Sequence, residues 1–345
     1  DQQSSVAFFP AYPTAMRIAG TVFFGNLAVG GVLVSLLCGF GVAVLFHRWV
    51  SAFLGERTAR LALALLLCYP FAFYLFGVVY SDALFLLAVI GAFSLLERDR
   101  PLLAGLAGIV ATAARPVGVA LVIGLVIRTL EIRGALPGSR LAVFVRHPTP
   151  IADTRRSPIS LLPRRVRLGA VRPADATVLL SVLGLVAFAA LLWVRFDDPL
   201  AFSRVSGAPG WGKEFDLETL AKLHLFRLLE AYGLNIVTFW LVVQGLFALL
   251  ALALVPPVIR CFGWGYGAYL FVSVGIAFAS TRDFIGMGRY VLAGFPAFAA
   301  AADLLVGWSG RGRGLIRAIP AVAVATSAGL LAWMVSLFAR WYFLS

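Results

Sequence analysis

The pair Ser81-Asp82 sits between two apolar runs, in LFGVVYSDALFLLAVIGAF, where the sequence predicts the edge of a membrane. A carboxylate beside hydrocarbon costs about 3 kcal/mol unless it faces a cavity or a partner, so Asp82 is a candidate site residue. The structural alternative is that Asp82 or Ser81 caps the helix that follows. Three further acids, Asp197, Asp198 and Asp283, and three cations, Arg115, Arg282 and Arg289, are predicted on the same side of the membrane. Such residues suit a lipid phosphate, because an arginine offers a planar fork of donors to phosphate oxygens and stabilises the phosphate as a leaving group. A neighbouring carboxylate then accepts the proton of an attacking hydroxyl. Each cation also has a structural reading. Arg115 would cap carbonyls at a helix break, Arg282 would be solvated beside Asp283, and Arg289 would snorkel to the interface.

Other chemistries lack their residues. His47, His147 and His224 are predicted on the cytoplasmic side or on a surface helix, which leaves no Ser-His-Asp constellation. There is no Walker A lysine loop, no HExxH and no cysteine-histidine metal spacing. The stretch GAPGWG around Trp211 reads as an outer loop. Cys38, Cys68 and Cys261 fall in predicted spans or an inner loop, so no disulfide framework is expected. No cofactor or metal is required, since arginine alone neutralises a lipid monophosphate; a divalent ion on Asp197 and Asp198 stays open as an alternative.

The elements that position these residues follow from composition. Hydrophobic residues make up 61% of the 345 and charged residues 13%, with a mean hydropathy of +0.94, which excludes a soluble globule. Apolar runs recur near the roughly 20 residues that span a bilayer as helix, and no segment alternates with period 2 as in a barrel. The expected fold is all-α, a polytopic bundle of about ten membrane segments. They are predicted at 26–46, 60–78, 82–96, 102–113, 116–127, 177–194, 235–255, 265–280, 289–306 and 318–338. Residues 102–113 and 116–127 are too short to cross singly. They flank AARPVG, where Pro116 disfavours helix at Arg115, and are predicted as paired half-helices.

The net charge of +13 is mostly arginine in loops, the lysines being Lys213 and Lys222, which signals topology rather than nucleic-acid binding. HRWVSAFLGERTAR, ERDR, the loop from Arg128 to Arg172, VIRCFG and SGRGRGLIR all fall on one side, cytoplasmic by the positive-inside rule. Three parts are expected. Residues 1–127 hold N-terminal membrane helices with outer-face site residues, and 128–176 form an Arg/Pro-rich cytoplasmic loop. Residues 177–345 hold C-terminal membrane helices, with an outer loop and an amphipathic helix within 195–234. In DLETLAKLHLFRLLEAYG, leucines from Leu217 to Leu229 and Phe226 recur at near-helical spacing behind the N-cap candidate Asp216. That helix is expected to lie on the outer surface as a strut, with Lys222 and His224 in structural roles. The chain starts at Asp1 without a signal-peptide profile, and further residues are expected upstream.

Five stretches carry a resemblance: AFFPAYPTAMR, YSDALFLLAVIGAFSLLER, LAGLAGIVATAARPVG, DDPLAFSRV and RYVLAGFPAFAAAA. Their order resembles that in the PIG-V-like mannosyltransferases, the family of the second GPI mannosyltransferase and its bacterial relatives. The resemblance covers most of the chain outside the arginine-rich loop. It implies a bundle of GT-C type and an inverting mannosyltransferase, a hexosyltransferase acting on the non-cytoplasmic face of a bacterial cytoplasmic membrane. The implied partners are a polyprenyl-phosphate sugar donor, a glycolipid or glycan acceptor and membrane lipids, with no nucleic acid.

Carried over residue by residue, Ser81-Asp82 stands at the family's Tyr-Ser-acid motif and Arg115 at its arginine after an Ala/Thr run. The segment from Asp198 to Phe202 stands at its Gly-Asp-Pro-Leu-Ala-Phe segment and Arg289-Tyr290 at its Arg-Tyr motif. Asp197 occupies the position of a glycine, and Ser206 lies near a common glutamine. The family's acidic Trp-Asp type motif, its usual candidate base, would lie upstream of residue 1. The implied catalytic residue in this chain is Asp82, as base or as orienter of the acceptor. Ser81, Arg115, Asp197, Asp198, Arg282, Arg289 and Tyr290 are expected to bind substrate. A lipid-linked sugar transporter, which would show internal symmetry, and a non-catalytic membrane subunit are the alternatives.

Overall fold

The computed structural model describes residues 8–136, 168–206, 216–311 and 314–340, and every regular element among them is a helix. Residues 137–167 of the arginine-rich loop, with His147, and the GAPGWG stretch with Lys213 lie outside the described residues.

The chain opens with α1 (Ala11–Thr21), α2 (Leu27–Leu54) and α3 (Glu56–Leu67). Asn26 caps α2, its Oδ1 accepting from the Val29 amide at 3.1 Å, and Gly55 ends it at φ 83°. The span predicted at 60–78 is helix only to Leu67, because Pro70 removes a donor and disfavours helix at Tyr69. Instead, the chain folds through a buried turn at Ala72–Leu75. Next come α4 (Asp82–Glu97), α5 (Pro101–Ala114) and α6 (Val119–Ile132), with the expected break at Arg115 and a tight turn at Pro116–Gly118.

A 3-10 stretch, Pro173–Val182, runs directly into α7 (Leu183–Phe196) and packs on α5. The two backbones approach closely at small residues. A Cβ on Gly105 would lie 2.2 Å from the Thr177 carbonyl oxygen, and Thr112 Oγ1 donates to the Ser181 carbonyl at 2.6 Å. Then follow α8 (Ala201–Ser206), α9 (Leu217–Leu220), α10 (Leu223–Tyr232), α11 (Ile236–Ala253) and α12 (Val255–Phe262). The last four are α13 (Trp264–Ser280), α14 (Met287–Ala293), α15 (Phe295–Arg311) and α16 (Ile319–Ala339). The amphipathic segment is two helices rather than one, because Lys222 adopts a left-handed conformation at φ 57°.

Four helices among the described residues are long and apolar enough to cross a membrane: Leu27–Leu54, Pro173–Phe196, Ile236–Ala253 and Ile316–Ala339. A fifth arises if α14 and α15, bent by 74° at Gly294, count as one span. The other predicted segments are shorter helices, such as α5 with 14 residues and α13 with 17. Leu36, Leu37 and Phe40 on α2, Val186 and Trp193 on α7, and Leu246 and Leu249 on α11 all point outward exposed. Apolar faces of that extent belong against lipid, and the chain is an integral membrane protein.

Helix α6 packs on α4 and α13, and ionised groups gather at both ends of α4. At one end Arg128, 1% exposed, donates to Glu97 at 2.7 and 3.1 Å and to Glu131 at 3.2 Å. Glu131 accepts from the Trp264 and Gly265 amides that open α13, at 2.6 and 3.0 Å. Tyr266 donates to Glu97 at 3.0 Å and accepts from Trp49 Nε1 at 3.0 Å. Arg128 was expected to begin a solvated loop. It lies inside α6 instead, because two buried carboxylates compensate its charge. Asp82 stands at the opposite end of α4, about 22 Å away along the axis.

Candidate functional site

Asp82 is the first residue of α4, and neither it nor Ser81 caps the helix. Its carboxylate, 2% exposed, lies between two guanidiniums. Arg115 Nη1 donates to Oδ1, while Arg289 donates to Oδ2 through Nε at 3.1 Å and Nη2 at 2.7 Å. Arg115 owes its place to the α5–α6 break, where its backbone is extended at φ −154°, ψ 145°. Arg289 and Tyr290 ride on α14, whose start is held by the Gly288 amide donating to Gln244 Oε1 at 3.0 Å. Close approach requires the glycine at 288, since a Cβ there would lie 2.4 Å from the Phe71 ring.

Aromatic rings enclose the two cations. Arg115 lies 5.0 Å from the Tyr290 centroid and 5.6 Å from that of Phe85. Arg289 lies 4.8 Å from the Tyr74 ring and 4.4 Å from the Tyr80 ring. These faces stabilise the guanidiniums where water is scarce. Tyr74, Tyr80 and Phe85 were not among the expected site residues. Tyr80 is the tyrosine of YSD and Phe85 follows it closely, whereas the buried turn at Ala72–Leu75 that brings in Tyr74 has no sequence signature.

Among the described residues this cluster holds one carboxylate and two guanidiniums, a net charge of +1. Of the five donors a guanidinium carries, the described bonds to Asp82 take one from Arg115 and two from Arg289. The arrangement can therefore bind an anion while its own carboxylate holds the two forks in place.

Arg282 and Asp283 lie on the α13–α14 loop, and the described bonds to Asp82 come from Arg115 and Arg289 instead. Arg282 lines a cavity of about 220 Å³ with Asp216, Glu218, Thr219, His224 and Arg227. Asp216 caps α9 by accepting from the Thr219 amide at 2.6 Å. That bond holds its carboxyl below the usual range, and the Arg282 charge adds to the effect. Asp197 and Asp198 follow the end of α7. Asp197 is exposed at φ 55°, and Asp198 pairs with Arg204 at 2.5 Å and accepts from the Leu200 amide at 3.0 Å. The Arg204 bond holds the Asp198 carboxyl below its ordinary value. The expected convergence of all these groups is thus realised for Asp82, Arg115, Arg289 and Tyr290, with Ser81 adjoining.

Of the five quoted stretches, three meet at Asp82: those containing YSD, ARP and RY. The other two meet through Phe9, whose ring centroid is 5.3 Å from that of Phe202 and 4.5 Å from that of Phe188 on α7. Tyr12 on α1 donates to the Gly31 carbonyl at 2.8 Å and lies 2.8 Å from Ser35 Oγ, which donates to the Val78 carbonyl at 2.8 Å, just ahead of the YSD segment.

No protein-family model matches the chain, and no curated protein matches it. Two solved structures match the chain in part. One is ArnT from Cupriavidus metallidurans bound to undecaprenyl phosphate, 16% identical over 97% of this chain and 63% of that one, with a TM-score of 0.47. The other is the Archaeoglobus fulgidus oligosaccharyltransferase in complex with zinc and sulfate, 13% identical over 93% of this chain and 44% of that one, with a TM-score of 0.36. The chain spans less than two thirds of the length of either, and at these scores the likeness assigns no activity to it.

Proposed function

We propose that this chain is a GT-C type membrane glycosyltransferase that moves a sugar from a polyprenyl-phosphate carrier to an acceptor hydroxyl. In the reading drawn from the PIG-V-like stretches the sugar is mannose, the acceptor is a glycolipid or glycan, and the site faces outward from a bacterial cytoplasmic membrane. The observation that carries the proposal is the charge of +1 at the buried Asp82 cluster.

A polyprenyl-phosphate sugar is a phosphodiester with one negative charge, so docking against Arg115 and Arg289 brings the cluster to neutrality. In the transfer the acceptor oxygen bonds to the anomeric carbon from the face opposite the phosphate, and the configuration inverts. The bond from that carbon to the phosphate oxygen breaks, and its electron pair stays on the phosphate, which approaches a charge of −2. The acceptor proton passes to Asp82, so the protein side rises to +2 as the phosphate gains its second charge. Ser81 and Tyr290, beside the cluster, bind the donor. Asp197, Asp198 and Arg282 are not bonded to Asp82 among the described contacts and serve portions of the substrates beyond the phosphate.

The test is transfer of radiolabelled mannose from polyprenyl-phosphate mannose to membrane acceptors. Transfer by the native protein, lost in Arg115→Ala and in Asp82→Asn, is the expected result. Absence of transfer from any polyprenyl-phosphate sugar by folded, inserted protein rejects the proposal.

A further inference from the structure

The cavity between α9, α10 and the α13–α14 loop has a different chemistry from the Asp82 cluster. Its walls carry Asp216, Glu218, Thr219, His224, Arg227 and Arg282. Polar groups are matched around it: Arg227 with Glu218 at 3.2 Å, His224 Nε2 with Asp283 at 3.5 Å, and Arg282 near enough to Asp216 to act on its carboxyl. Asp216 and Glu218 offset Arg227 and Arg282 along the wall, so no excess of arginine charge draws a phosphate in. A neutral ring bearing several hydroxyls gains much, because carboxylates accept from hydroxyls and guanidiniums donate to them. The volume of about 220 Å³ admits one such ring.

The wall is also built firmly. Lys222, between α9 and α10, is buried and donates to the Phe278 and Thr281 carbonyls at the end of α13. Its ammonium lies 4.8 Å from the Phe278 ring and 5.1 Å from the Phe284 ring. Phe284 itself sits at φ 69°, a strained position for a bulky residue, with its ring against Gly245. The loop that carries Arg282 continues within seven residues to Arg289, so the cavity lies no more than about 25 Å from the Asp82 cluster.

We propose that this cavity is a binding subsite for a single neutral hexose ring, held by Glu218, His224, Arg227 and Arg282. Assigning that ring to a substrate rests on the glycosyltransferase reading, and it belongs either to the donor or to the acceptor.

The experiment is saturation-transfer difference NMR on the full chain in a detergent without a sugar headgroup. Methyl α-D-mannopyranoside, methyl α-D-glucopyranoside and methyl α-D-galactopyranoside serve as probes against the native protein and the double variant Glu218→Gln/Arg227→Gln. Both side chains are exposed, so the variant is expected to fold, and its thermal unfolding is measured alongside. At least one glycoside is expected to give a signal with the native protein that falls at least fivefold in the variant. No glycoside signal with the native protein, or equal signals from both, overturns the subsite. Polyprenyl phosphate binding, measured separately by thermal shift, is expected to be the same in both. If native protein fails to bind polyprenyl phosphate while the glycoside signal is still lost in the variant, the lipid-phosphate reading falls and the subsite stands. In the transfer assay, a KM raised for polyprenyl-phosphate mannose assigns the ring to the donor, and a KM raised for the acceptor assigns it there.

Discussion

Replacing Asp82 by asparagine is expected to weaken the fold and strengthen anion binding in the same molecule. The carboxylate is 2% exposed and is bonded to two guanidiniums of which Arg115 is 8% and Arg289 19% exposed. Removing one partner of a buried ion pair costs about 3–5 kcal/mol, because the other charge is left uncompensated. At roughly 2 °C per kcal/mol for a long chain, the unfolding midpoint should fall by about 6–10 °C. The substitution also raises the cluster from +1 to +2. A phosphate held by the arginines would sit about 6 Å from the position of the carboxylate, and at an effective dielectric of about 20 the lost repulsion is worth about 3 kcal/mol per phosphate charge. Polyprenyl phosphate should therefore bind at least about 100-fold more tightly to the variant.

Intrinsic fluorescence of the 8 tryptophans in detergent follows unfolding, and titration of polyprenyl phosphate converts the midpoint shift into affinity. Sugar transfer by the variant should be lost, because the proton acceptor is gone. An unchanged midpoint would refute the buried ion cluster. Unchanged or weaker affinity for polyprenyl phosphate would refute its placement beside Arg115 and Arg289, and retained transfer would refute Asp82 as the base.

At the other end of α4, Arg128→Ala should cost about 3–5 kcal/mol by stranding Glu97 and Glu131, yet leave polyprenyl phosphate affinity unchanged, as a thermal-shift titration will report. Gly105→Ala should destabilise by about 1–3 kcal/mol, since the added carbon would meet the Thr177 carbonyl oxygen at 2.2 Å and force α5 off the 3-10 stretch; detergent unfolding measures it. Burial pushes Lys222 from its ordinary value down to about 8, against a smaller opposing pull from Asp283. The unfolded chain then holds more protons between about pH 8 and 10.5, so the site's contribution to stability rises with pH across that window. The native midpoint measured against that of Lys222→Met should rise from pH 8 to 10.5, and a fall would contradict the sign.

Sequence alone determined that this is an all-helical membrane chain, that it breaks at Arg115, and that Asp82, Asp197, Asp198, Asp283, Arg115, Arg282 and Arg289 are its unusual charges. Those conclusions rest on local physics: apolar run length against bilayer thickness, the geometry proline imposes on its neighbour, and the cost of charge near hydrocarbon. Only the tertiary structure decided which acid meets which arginine. The seven site candidates besides Ser81 are alike to a reading by residue type, and it is the α5–α6 break and the placement of α14 that unite Asp82, Arg115, Arg289 and Tyr290. Asp198 turns instead to Arg204 and leaves that group. Arg128 looked like a loop cation because its charge is local, whereas the carboxylate of Glu97 that permits its burial is 31 residues away. The α9–α10 break at Lys222 was hidden for the same reason. Its ammonium is drawn to the Phe278 and Thr281 carbonyls, partners supplied by a distant helix end.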